Sequence, residues 1–155
     1  MQRIGYFNLK YNVIYFDKAS STIQLYQSII GSISNYLRFS TIPISTYYYP
    51  NAYTLGPLFP LGNGFISLSK EVSYDEAGQM TSTISGLKYD GLGVFTSFKP
   101  IFPTDPGILV DGMGYTKFGD YFYAVGSYKV NVNNYRTYLL KSIEAEKWNF
   151  VGLPY

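Results

Sequence analysis

The sequence predicts a mainly β domain, an antiparallel sandwich or jelly-roll-like fold with one N-terminal α-helix and a propeller-like meander as the alternative. Short β-branched and aromatic runs recur at about 8 to 12 residue spacing with turn residues between them, the pattern of antiparallel β architectures. Aromatic residues make up 19% of the 155 residues, with Tyr 18 and Phe 11, a composition suited to pleated, half-buried surfaces. One stretch departs from this pattern and takes a helical period. The length fits one β-rich domain over residues 1–155, long enough to bury a core without staples.

In chain order, Arg3 to Leu9 and Tyr11 to Phe16 are β-branched and aromatic and read as one or two strands. Over residues 21–37, Leu25, Tyr26, Ile29, Ile30, Ile33, Tyr36 and Leu37 recur at steps of three and four. That is the spacing of one helix face, and Ser21 with Gln24 would form its capping box. A pair of strands is the competing reading, because Gly31 and several serines lower helix propensity. Phe39 to Tyr49 is β-rich again. Pro50, Pro57 and Pro60 then cannot donate to a central ladder, so residues 51–64 read as a long ordered loop ending in an Asn63-Gly64 turn.

Beyond it, Phe65 to Tyr74 and Met80 to Leu87 flank the hairpin loop Asp75-Glu76-Ala77-Gly78. Val94 to Lys99 follows the Asp90-Gly91 turn, and Pro100, Pro103 and Pro106 stiffen the next loop. Four runs close the chain: Ile108 to Thr116, Tyr121 to Val132, Tyr135 to Ile143 and Trp148 to Leu153. With Tyr121 to Ser127 at the centre and Trp148 to Gly152 late, these four runs resemble one blade of a kelch-like β-propeller. The glycine doublet of such blades is reduced here to Gly126-Ser127 and has no second copy upstream, and a plain four-stranded meander accounts for the pattern equally well. No propeller function is carried over.

Composition removes most catalytic chemistry. Cys 0 leaves no thiol nucleophile, disulfide framework or cysteine-held metal, and His 0 leaves no imidazole base, no Ser-His-Asp machinery and no imidazole-ligated metal. Net charge is only +2, both signs are scattered, and no basic stripe of the kind that binds nucleic acid is present. Arg3, Arg38 and Arg136 lie far apart, which speaks against an aromatic groove for single strands. There is no signal-peptide h-region, no apolar run long enough for a membrane span and no N-x-S/T sequon, so the reading is a soluble chain made without processing.

The remaining motifs have plain readings. Gly62-x-Gly64, Gly91-x-Gly93 and Gly112-x-Gly114 each begin a G-x-G-x-x-G, but Ser67, Thr96 and Lys117 stand in the sixth place. Turns and bulges explain them. Glu144 and Glu146 would lie about 6.6 Å apart on one strand face, within reach of an inverting glycosidase pair, yet their context is a hairpin turn. Asp75-Glu76 is a turn as well, and Asp105, Asp111 and Asp120 lack EF-hand spacing. The aromatics carry the remaining signal: Tyr47, Tyr48, Tyr49, Tyr53 and Trp148 are candidates for an interface or a sugar-stacking platform.

With 14% charged residues, well under the usual quarter, a surface of Tyr, Ser, Thr and Asn suits a chain that packs against other protein. The expectation is therefore a non-enzymatic structural subunit without cofactor or metal. It would assemble with itself or other structural proteins as a virion component such as a capsid, tail or spike protein, or in another extracellular assembly. The alternative is a carbohydrate- or receptor-binding β module.

Overall fold

The structure is a computed structural model and describes residues 2–7, 9–17, 19–20, 22–28, 36–43, 53–74, 77–78, 80–104 and 107–152. Thirteen strands among them form three antiparallel sheets. The first holds β1 (Gln2–Phe7), β2 (Lys10–Asp17), β3 (Thr22–Ser28) and β4 (Tyr36–Pro43) in the order β1-β2-β3-β4. The second holds β5 (Tyr53–Thr54), β6 (Phe59–Leu61), β7 (Gly64–Tyr74), β8 (Met80–Tyr89) and β9 (Phe95–Phe98), with the path β5-β7-β8-β9 and β6 also paired to β7. The third holds β10 (Ile108–Phe118), β11 (Tyr121–Asn131), β12 (Asn134–Ser142) and β13 (Asn149–Phe150), again in sequence order. Among the described strands, no Greek-key crossover of the jelly-roll kind occurs within a sheet.

The expected helix at 21–37 is a correction. Residues 22–28 and 36–43 are paired strands, residues 29–35 and Ser21 lie outside the described residues, and no helix occurs among the residues described. Ile23 and Leu25 alternate with Gln24 and Tyr26 and lie opposite Phe16 and Ile14 of β2, so period two is realised where period 3.6 also fitted. Gln24 lies in the strand, where its Nε2 donates to Thr22 Oγ1 at 3.2 Å and its Oε1 accepts from the Tyr26 hydroxyl at 2.7 Å. The loop expected at 51–64 contains β5 and β6. Its turn falls one residue early, at Gly62-Asn63, because Leu61 pairs with Gly64.

Two buried clusters show how the sheets pack. Ile14, Phe16, Ile23 and Leu25 of the first sheet share a core with Phe65, Leu87, Tyr89 and Phe95 of the second. Ile66 and Leu68 of the second share another with Phe122, Tyr128, Tyr138, Leu140 and Trp148 of the third. Strand β7 therefore alternates between two cores, and residues 64–69 are buried throughout. Its inward serines are satisfied locally, since Ser67 Oγ donates to the Gly56 carbonyl at 2.9 Å. Opposite Leu68, Gly86 has no side chain, and the ring of its partner Phe98 occupies the place a Cβ would take.

Tyrosines in and against the second cluster differ sharply in how their hydroxyls are treated. Tyr115 accepts from the Leu68 amide at 2.7 Å and donates to the Pro57 carbonyl at 2.5 Å, bonding the third sheet to the second. Tyr128 and Tyr138 pack edge to face at 5.5 Å, and both buried hydroxyls lack a partner. Tyr115→Phe is accordingly expected to lose about 1–3 kcal/mol, because it strands the Leu68 N–H, whereas Tyr128→Phe is expected to be neutral or stabilising. Urea denaturation of the two variants checks the contrast, and equal losses would refute it.

Burial also pushes the Tyr128 phenol up from 10.0 to about 12. An acid whose pKa is raised in the folded state stabilises fully below its unfolded value and stops doing so as pH rises through the folded one. Alkaline destabilisation between pH 10 and about 12 is thus expected, and it should shrink in Tyr128→Phe.

Candidate functional site

Each core uses one face of an end sheet, which leaves the other face of the first and third sheets outward. On the first sheet, register places Ile4 beside Val13, Tyr6 beside Tyr11, and Val13 beside Tyr26. Directly opposed residues share a face, and this one is opposite to the buried Ile14 and Phe16. Ile4 is 60% and Tyr6 54% exposed, and the Tyr6 and Tyr11 rings lie 4.8 Å apart. On the third sheet Phe122, Ala124, Gly126 and Tyr128 of β11 and Tyr138, Leu140 and Ser142 of β12 are buried, so Tyr121 and Tyr123 face out with Tyr135, Leu139 and Lys141. Tyr135 is 58% and Leu139 45% exposed, and Lys141 Nζ sits 4.9 Å from the centre of the Tyr121 ring.

Between the second and third sheets runs a half-open cleft of about 610 Å³. Its walls include Leu68, Ile84, Phe102, Leu109 and Leu140, and Arg3, Ser69, Lys70 and Tyr115 bring polar groups to it. Arg3 Nε donates to the Leu55 carbonyl at 3.0 Å, which anchors the guanidinium beside the lining. Burial raises the Tyr115 phenol above its ordinary value, opposed by its hydrogen bonds and by the nearby Arg3 charge, so the hydroxyl stays protonated and serves as a strut.

The residues singled out from sequence fare unequally. Tyr47, Tyr48 and Tyr49 lie outside the described residues, and Tyr53 is described in backbone only, where it pairs with Glu71. Trp148 is 2% exposed, stacks on Phe102 at 5.9 Å and donates its indole N–H to the Ala145 carbonyl at 2.9 Å. It is a core residue and presents no face for stacking on a ligand. Glu144 is exposed, and Glu146 pairs with Lys88 at 3.2 Å across the surface, a contact worth about 0–1 kcal/mol. Gly91 and Gly93 shape a turn closed by Asp90, whose carboxylate accepts from the amides of Leu92 and Val94 and is held below its usual range by them. No group of three or more metal-ligating side chains occurs among the described residues.

What the sequence reading missed is the outward alternation, Ile4 and Tyr6 on β1 and Tyr135 and Leu139 on β12. Strand periodicity was the available signal, but which of its two faces is covered depends on which sheet lies against it. No family model, curated protein or solved structure matches this chain.

Proposed function

We propose that this protein is a structural subunit that assembles with copies of itself through the outward faces of its first and third sheets. A larger particle, such as a virion, is the setting that suits it. The observation that carries the reading is the pair of outward faces, each bearing exposed large apolar residues on a regular sheet. Inside the molecule, one sheet face meets the next in chain order, and a second copy placed against an end sheet would continue that series. We read the fold accordingly as a stack of meanders, nearer the propeller-like alternative than the jelly roll. A contact between unlike faces is heterologous, and it generates a ring if the rotation closes or a filament if it does not.

The experiment is sedimentation velocity over a wide concentration range. Wild type is expected to sediment as an oligomer, and Ile4→Lys or Leu139→Lys to shift it to monomer. Each variant spoils one face and keeps the other, so an equal mixture of the two is expected to form a dimer and nothing larger. A wild type that stays monomeric at every concentration would overturn the proposal, and so would a mixture that fails to pair.

A further inference from the structure

We propose that the cleft between the second and third sheets binds an anionic amphiphile, a carboxylate head on an apolar chain. At about 610 Å³ it lies within the range of small-molecule sites, about 300–1,000 Å³. Its walls carry the aliphatic side chains of Leu68, Ile84, Leu109 and Leu140 together with the Phe102 ring. Both charged residues among the described lining, Arg3 and Lys70, are cationic, and no carboxylate is among them.

Arg3 and Lys70 enter from different sheets, on β1 and β7, so the cationic part of the lining is built by tertiary packing. Arg3 is anchored through Nε to the Leu55 carbonyl, which places the fork geometry that suits a carboxylate at the lining. The Tyr115 hydroxyl is already committed to Leu68 and Pro57, so it is not available to read sugar hydroxyls. An apolar lining with two cationic residues and no carboxylate fits a chain with a single anionic head better than a polyhydroxylated ligand. The inference stands independently of the assembly reading, because it uses inward faces and that reading uses outward ones.

Phe102 lines the cleft and stacks on Trp148, the chain's single tryptophan, so the site carries its own reporter. The probe is 11-(dansylamino)undecanoic acid, followed by energy transfer from Trp148, with its methyl ester as the neutral counterpart. Saturable transfer at one probe per chain is expected for the acid, displaced by dodecanoate. Arg3→Gln should weaken the acid about tenfold and leave the ester nearly unchanged. Thr54→Glu adds a carboxylate at an exposed lining position and should weaken the acid by a similar factor. Circular dichroism of each variant verifies that it is folded. Tyr135→Ser and Leu139→Ser, on the outward face, should leave binding unchanged. Absence of saturable transfer, equal binding of acid and ester, or loss of transfer in the outward-face variants would each overturn the proposal.

Discussion

Trp148→Ala is expected to lower stability by about 3–5 kcal/mol, a large fraction of what a domain of this size possesses. The indole is 2% exposed and belongs to the cluster shared by the second and third sheets. Removing it leaves a cavity beside Phe102 and strips the Ala145 carbonyl of its buried donor at 2.9 Å. Ala145 has φ 60, in the left-handed region, and that conformation sits in the bend whose carbonyl Trp148 caps. The backbone on either side is engaged too: the Ile101 amide donates to Glu146 and the Trp148 amide to Ile101, tying the 99–104 segment to the third sheet. Trp148→Phe retains most of the packing and loses the donor, so its expected cost is smaller, about 1–3 kcal/mol. Urea unfolding followed by far-ultraviolet circular dichroism measures both, since the tryptophan signal is absent from the variants. A loss below about 1 kcal/mol for Trp148→Ala would show that the cluster repacks around the gap.

Strand positions were legible where alternation and turn chemistry agreed. The paired runs either side of Asp75-Glu76-Ala77-Gly78 became β7 and β8, and the four closing runs became β10 to β13. The 22–43 region was not legible, because Leu25, Tyr26, Tyr36 and Leu37 satisfy a helical period while Ile23, Leu25 and their neighbours satisfy a strand period. Pairing of Ile23 with Phe16 and Leu25 with Ile14 decides between the two, and that contact is made with β2, outside the 22–43 segment. Trp148 reads from sequence as an interface or stacking residue for the same reason: an amphipathic ring suits a surface or a core equally, and only packing distinguishes them. The cleft was beyond sequence reasoning altogether. Arg3, Lys70 and Tyr115 are brought together from three sheets, and no spacing along the chain records that.

Glycine 64 shows the same limit at the scale of one methyl group. Gly64→Ala is expected to cost about 3 kcal/mol, at the upper end of overpacking effects. A Cβ there would be driven into the Tyr89 carbonyl, which is backbone and cannot swing aside as a side chain would. Relief requires β7 and β8 to part where Phe65 pairs with Tyr89, and both of those residues are buried in the first core. Two neighbouring cases separate crowding from conformation. Gly62 has φ 57 with open space around its missing Cβ, so alanine there costs only the left-handed penalty, about 1 kcal/mol. Gly114 has neither a positive φ nor any atom within 4 Å, so alanine should be nearly neutral. Chemical denaturation of the three alanine variants should therefore rank them Gly64, Gly62, Gly114 in decreasing loss. If Gly62 proved the most sensitive, turn conformation would outweigh the close approach of β7 to β8. The sequence offers Asn63-Gly64 as the turn signal, and only the pairing of Leu61 with Gly64 assigns Gly62 to the turn and Gly64 to the strand.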